Sequence, residues 1–465
     1  MSMLLPVRAA GRPLTLLLPL CLVLTGAASP GPTVPQLAFS RLQLANGLEV
    51  LIHEDHSVPL VAVSIWYHVG SKDEERGRTG FAHLFEHMMF QGSRHVGDDM
   101  HFKYVQQAGG TLNGTTNTDR TNYFAVVPAG ALERVLFLEA DRMGFLLDAL
   151  TQEKLDNQRE VVRNERRQNY EVAPYGLAPR YLAEALYPEG HPYRHLTIGE
   201  HKDLEAATLD DVRTFFNRYY TPSNAVLVIA GDVDPKEARR LVDKWFGPLP
   251  RRERPPLVRQ WAMPVLTQER RVEATDRVSL PRLYVVWHSP ARFHPGDAEL
   301  DLLARVLGGK EGRLYRRLVY QDRLAQEVEV FQQSQLLSSR FGIVATAREG
   351  KRPEELLQAI DDELHQLRRS PPSQQEMERA RNQIEAALLF DLDELGGFRG
   401  RAEMLQQYFY YAGDPDYLAR DLERYRRATP QTVHQALLTY LGPGRVVLTI
   451  SPGPATGPRQ EERKG

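Results

Sequence analysis

Three side chains capable of chemistry crowd one short stretch: His83, Glu86 and His87, within Gly80-Phe81-Ala82-His83-Leu84-Phe85-Glu86-His87-Met88-Met89-Phe90-Gln91-Gly92. On an α-helix, two histidines four residues apart lie one above the other on the same face, where both imidazoles can grip one metal ion. Glu86 shares that edge. A carboxylate there can take a proton from a metal-bound water, so the trio points to metal-assisted hydrolysis with Glu86 as the base. The order His-x-x-Glu-His is the inverse of the His-Glu-x-x-His zinc-peptidase motif. Taken alone, the pattern also suits a half-buried helix whose Leu84, Phe85, Met88, Met89 and Phe90 simply pack a core.

A zinc site with two histidines needs a third protein ligand and an open position for water. Residues 152–169 have helical periodicity and carry Glu153, Glu160 and Glu165. Glu165 is the candidate third ligand and Glu160 the alternative. Without the histidine pair, each of these glutamates would read as part of a solvated helix face.

The 465 residues are 42% hydrophobic and 25% charged, the composition of a globular chain with several domains and a large core. Lys plus Arg total 58 against 60 for Asp plus Glu, so there is no basic surplus to hold DNA or RNA. Residues 1–28 combine Arg8 and Arg12, an apolar run around Leu16-Leu17-Leu18 and the small residues Gly26-Ala27-Ala28. They read as a signal peptide removed on export to the periplasm or the medium, which leaves no stable membrane span. The only cysteine, Cys21, lies inside that segment, so the processed chain is expected to hold no disulfide.

Further along, residues 39–53 alternate around Asn46-Gly47 as a hairpin does, and residues 59–70 read as a second strand. Residues 71–79 form a charged loop leading into the helix of His83 and His87. Residues 100–108 form a short helix, and residues 111–127 turn from polar to apolar like a strand pair.

The stretch from Ala207 to Ile229 aligns without a gap to Ala428 to Ile450, matching at Ala, Thr, Val, Tyr, Pro, Val, Leu and Ile. A helix, a proline-containing turn and a buried strand therefore occur twice. The chain is expected to be α+β, with two homologous domains, each a mainly antiparallel sheet packed with helices. The expected boundaries are 37–247 for the metal-binding domain, 248–264 for a solvated, proline-punctuated basic linker, 265–452 for the second domain and 453–465 for a flexible tail. The second copy has no histidine where the metal helix should recur, near Leu302 to Gly309.

Several motifs together resemble the pitrilysin/insulinase family of zinc metallopeptidases, including mitochondrial processing peptidase and bacterial two-domain relatives. They are Val69-Gly70-Ser71, the stretch from Gly80 to Gly92, Gly109-Gly110-Thr111-Leu112-Asn113, residues 160–167, residues 220–227 and Gly231-Asp232-Val233. The resemblance runs from about Leu42 to Ile450. It implies His83, His87 and Glu165 as ligands to one Zn2+ per chain, with Glu86 as general base. It also implies a peptide substrate laid as an added strand near Asn113, Gly114 and Thr115, with Asn113 contacting it.

The family encloses its substrate between two bowl-shaped halves, and this chain supplies one half of that clamshell. A homodimer, or a heterodimer with a related metal-free subunit, is therefore expected. The other function the resemblance allows is a non-catalytic peptide-binding or assembly subunit, a role that usually goes with loss of the metal residues. Three departures stand out. Gln158 occupies a position where the family often has a further glutamate, and Val319 and Gln326 stand where it often has an Arg and a Tyr. Gly308-Gly309-Lys310 falls at a glycine-rich loop of the family and equally suits an ordinary turn.

Overall fold

The computed structural model describes residues 36–455, 457 and 459–461. The expected signal peptide lies outside the described residues. Two six-stranded sheets organise the rest. The first comprises β1 (Ser40–Gln43), β2 (Glu49–Glu54), β3 (Leu60–Tyr67), β4 (Thr111–Thr116), β5 (Thr121–Pro128) and β6 (Ala225–Gly231), in the order β1-β2-β6-β3-β5-β4. The second comprises β7 (Arg270–Asp276), β8 (Arg282–Ser289), β9 (Ala325–Gln333), β10 (Ser339–Ala347), β11 (Val446–Pro452) and β12 (Arg459–Glu461), in the order β12-β7-β11-β8-β10-β9.

The duplication is visible strand by strand. In each sheet one central pair is parallel, β2 with β6 and β7 with β11, and every other pairing is antiparallel. The outermost strand differs in origin, since β1 comes from the hairpin before β2 whereas β12 comes from the far end of the chain. Residues 459–461, expected within a flexible tail, instead pair with Glu273, Val272 and Arg271 and satisfy the outer edge of β7.

Both faces of each sheet are covered, which is why β3 and β6 are almost continuously apolar instead of alternating. On one face of the first sheet, Val61, Val63, Ile65 and Tyr67 pack with Phe81, Phe85, Leu136, Phe216 and Phe246 from the domain's own helices. The other face is covered by helix Arg401–Gln407 from the second half, where Gln406 Nε2 donates to Ser64 O and Val226 O, each at 2.9 Å. In return, helix Ala178–Leu186 from the first half lies on β7, β8 and β11, packing Tyr181, Leu182 and Leu186 against Tyr284, Val286 and Leu448. Each large apolar side chain so buried contributes about 1.5–3 kcal/mol.

The gapless repeat needs one correction. Leu227 faces its own domain's helices, but its counterpart in that alignment, Leu448, faces Tyr181 and Leu182 on the opposite side of its sheet. The copies slip by one residue between helix and strand, and a one-residue slip turns every side chain to the other face. The segment 248–264 is also less solvated than expected. Leu249 and Pro255 are buried, Val258 N–H donates to Asp73 Oδ1 at 3.2 Å, and Trp261 packs edge-on against His191.

Candidate metal and peptide site

Helix Phe81–Met88 is amphipathic in a way that exposes chemistry. Phe81, Ala82, Leu84, Phe85 and Met88 are buried, and the three residues left partly open are His83, Glu86 and His87. Their spacing of three and four residues aligns them along one stripe.

The helix start is held by residues far away in sequence. Gly80 precedes it at φ +90°, and a Cβ there would come within 2.7 Å of Ile198 O, so only glycine fits. With no capping side chain at Gly80, the buried Glu74 does that work. Its Oε2 accepts from Gly80 N–H at 2.9 Å and its Oε1 from Ala82 N–H at 2.8 Å. A carboxylate here satisfies free amides and complements the positive end of the helix dipole. His195 Nε2 bonds the same Glu74 Oε2 at 2.9 Å. Burial pulls the His195 pKa down, but the hydrogen bond and charge of Glu74 outweigh it and leave the imidazole above its usual range.

Glu165 arrives on helix Gln152–Arg166, capped by the Thr151 hydroxyl, which accepts from Lys154 N–H at 3.3 Å. The neighbouring Arg166 is buried and anchors the helix end, donating to Gly199 O, to Glu200 Oε2 at 3.1 Å and to Glu171 Oε1 at 3.2 Å. Glu165 Oε2 lies 3.3 Å from His87 Nε2 and 3.7 Å from His83 Nε2. One donor atom from each of the three lies within 4.8 Å of the others, the only such metal-capable group among the described residues. Glu160, the alternative, is exposed and paired with Arg163 instead.

The protonation states suit a cation. Burial, reinforced by neighbouring His87, lowers the His83 pKa to about 4, leaving a neutral imidazole with a free lone pair. The hydrogen bond from His87 holds the Glu165 carboxyl below its usual range. Two imidazoles and one carboxylate are a normal zinc donor set. His83 Nδ1 is buried without a protein partner. Burial raises the Glu86 pKa, against the opposing hydrogen bond from Thr116, and a raised pKa makes a carboxylate a stronger base.

Strand β4 is the edge of its sheet and runs beside Glu86. The Thr116 hydroxyl donates to Glu86 Oε2 at 2.6 Å. At Gly114 a Cβ would sit 3.1 Å from Glu86 Cγ and 3.1 Å from the Tyr123 ring, so the missing side chain lets strand and helix close on each other. Asn113 is exposed, and its Oδ1 accepts from Gly114 N–H at 2.8 Å, so that amide points to the open edge and not to β5. Thr115 is tied inward: its hydroxyl donates to Asn122 Oδ1 at 2.6 Å, and Arg120 Nη1 donates to its carbonyl at 2.9 Å.

Asn122 Nδ2 in turn donates to Glu403 Oε1 at 3.2 Å, and Trp66 Nε1 donates to Glu403 Oε2 at 3.1 Å. The second half therefore holds the edge strand from behind. Of the departures, Gln158 is buried, Val319 is buried in the π-helix Arg316–Gln321, and Gln326 is exposed on β9. Gly309, at φ +69°, forms the turn after helix Asp297–Leu307.

Residues 49–197 match the insulinase family (peptidase family M16), and residues 206–384 match the family's "Peptidase M16 inactive domain". The zinc protease PqqE of Helicobacter pylori is 28% identical over 361 residues, covering 77% of this chain and 81% of that protein. A protease from Helicobacter pylori superposes with a TM-score of 0.83 at 25% identity, over 89% of this chain and all of the other. The periplasmic protease PqqL from Escherichia coli superposes with a TM-score of 0.75 at 18% identity, over 90% of this chain but 48% of that one. The doubled α+β fold is that of the two-domain M16 proteins, and among the described residues the metal-capable cluster lies in the first half. The chain belongs to the M16 (pitrilysin/insulinase) peptidase family.

Proposed function

We propose that this protein is a zinc-dependent endopeptidase that cleaves peptides or unfolded segments of polypeptide. The observation that carries the reading is the convergence of Glu165, from helix Gln152–Arg166, with His83 and His87 within 4.8 Å, the two histidines lying on the helix whose Glu86 is bonded to the edge strand β4. His83, His87 and Glu165 hold one zinc. When bound, zinc supplies Lewis acidity towards water and towards the scissile carbonyl.

The protein's own groups do the rest. The open edge of β4 at Asn113, Gly114 and Thr115 takes the peptide as an added strand, so main-chain hydrogen bonds supply affinity with modest sequence preference. Glu86 removes a proton from the attacking water and delivers it to the leaving amine. Thr116 keeps the Glu86 carboxylate aimed and favours its ionised form.

The partner in this reading is a second copy of the chain or a metal-free relative that closes over the substrate; a probable mitochondrial-processing peptidase subunit beta among the relatives supports it. Export to the periplasm or medium fits residues 1–28 and the periplasmic setting of PqqL. No helix among the described residues is long and apolar enough to cross a membrane.

Metal analysis of the purified chain together with a peptide-library digest tests the proposal. It requires about one zinc per chain and cleavage that stops on chelation and returns with zinc. Zinc-loaded protein that binds peptides without turnover would instead identify a peptide-binding or assembly subunit.

A further inference from the structure

A second site lies away from the metal cluster. A cavity of about 900 Å³ opens between residues 254–262 of the connecting segment and residues 409–413 of the second half. Arg254, Arg259, Arg292 and His68 line it, with Tyr410 and Trp261 as aromatic walls, and no aspartate or glutamate is among its described lining residues.

Among the described residues no carboxylate forms a salt bridge with Arg254, Arg259 or Arg292, though Arg259 lies over the Tyr410 ring and Arg292 over the Tyr411 ring. Arg445, for comparison, is bridged by Glu269 and Asp361. Arg254 and Arg259 instead both donate from Nη2 to one acceptor, His68 Nδ1, at 2.9 and 3.4 Å. His68 is buried, and burial together with the two guanidiniums pushes its pKa well below the usual range, so it accepts as a neutral imidazole. Arg292 donates to Gln407 Oε1 at 3.0 Å, again a neutral group.

Carboxylates around the cavity are bonded by other groups: Asp119 Oδ2 accepts from the Tyr411 hydroxyl and from Leu336 N–H, both at 3.1 Å, and Asp73 Oδ1 from Val258 N–H at 3.2 Å. Glu49 is bonded by Arg41 at 3.0 Å and by Gln43 at 2.7 Å, and Asp297 and Asp421 are bridged by Arg424. The hydroxyls of Tyr410 and Tyr411 turn away to Asp119, at 2.7 and 3.1 Å. Arg254 and Arg259, sharing one uncharged nitrogen, repel each other, and an anion between them would relieve that repulsion. Arg292 faces the same cavity with Asp297 and Asp421 partly balancing its charge.

We propose that this cavity binds a phosphate-bearing small ligand. Forked guanidinium donors match the oxygens of a phosphoryl group, and its double charge answers adjacent arginines better than a single carboxylate does. The ligand would bridge the connecting segment, through Arg254 and Arg259, to Arg292 in the second half. The cavity shares no lining residue with the metal cluster or with strand β4.

The test titrates the full, zinc-loaded protein with inorganic phosphate by calorimetry at low chloride. The same titration is run on Arg254→Gln/Arg259→Gln, on each single variant, and on Arg213→Gln, whose arginine pairs with Asp210 within helix Leu209–Tyr219 and does not line the cavity. Expected are saturable binding, a loss of about tenfold or more in the double variant, a partial loss in each single variant, and no change in Arg213→Gln. Affinity should also fall as sodium chloride rises. The single variants decide the matter if circular dichroism shows the double variant unfolded. The proposal is overturned by an absence of saturable binding, by variants that bind phosphate as the parent does, or by acetate binding more tightly than phosphate.

Discussion

Thr116 donates its hydroxyl hydrogen to Glu86 Oε2 at 2.6 Å, joining the helix of candidate metal ligands to the open-edged strand β4. That bond stabilises the ionised carboxylate and opposes the burial that raises its pKa. Thr116→Val removes it, so the Glu86 pKa should rise further. A hydrogen bond to a charged group is worth about 1.5–3 kcal/mol, which corresponds to about one to two pH units. The acid limb of kcat/KM against pH should therefore move to higher pH in the variant, with zinc content unchanged.

Gly114 tests the closeness of strand and helix. An alanine Cβ would press on Glu86 Cγ and on the Tyr123 ring, both 3.1 Å away. Gly114→Ala should cost about 1–3 kcal/mol in stability and a larger factor in activity, since relief requires β4 or Glu86 to move. Thermal unfolding and peptide cleavage measured on one preparation separate the two effects.

The two glutamates considered as third ligand should behave oppositely. Glu165→Gln should weaken zinc binding by more than about 100-fold, exceeding the usual cost of losing a supporting residue. Glu160→Gln should leave it unchanged, because Glu160 is exposed and paired with Arg163. Competition with a chromogenic chelator reads both.

The Glu74–His195 pair makes stability depend on pH. The folded-state His195 pKa lies above its ordinary 6.5, so its contribution is complete below that value and disappears as pH rises through the folded pKa. Glu74, raised above 4.5 by burial, must be ionised to act, which sets the lower bound of the window. The melting-temperature gap between the parent and His195→Gln should be widest near pH 6 and narrow in mildly alkaline buffer, as calorimetry at the two pH values would show.

Local chemistry was readable in the residues, and long-range support was not. His83, Glu86 and His87 stand out because helical spacing puts them on one face, and helical periodicity placed Glu165 on a second helix without separating it from Glu160. Glu74 lies in what reads as a charged loop and meets His195 121 residues later. Glu403 reaches Asn122 across 281 residues. No local pattern records such pairings. The exchange of helices Ala178–Leu186 and Arg401–Gln407 between halves was hidden for the same reason: an amphipathic stripe announces that it will be buried and not which sheet buries it. The inverted facing of Leu448 escaped because identical residue types can sit one step out of register.

The central claim is that Glu86 acts as the base of a zinc peptidase while His83, His87 and Glu165 hold the metal. Its most direct test is cleavage of a fluorogenic peptide by zinc-loaded parent and Glu86→Gln proteins, with zinc measured in the same samples. The account predicts equal zinc in both and a fall in kcat of at least about 100-fold in the variant. Undiminished cleavage by zinc-loaded Glu86→Gln, or a folded parent that takes up no zinc, would contradict it.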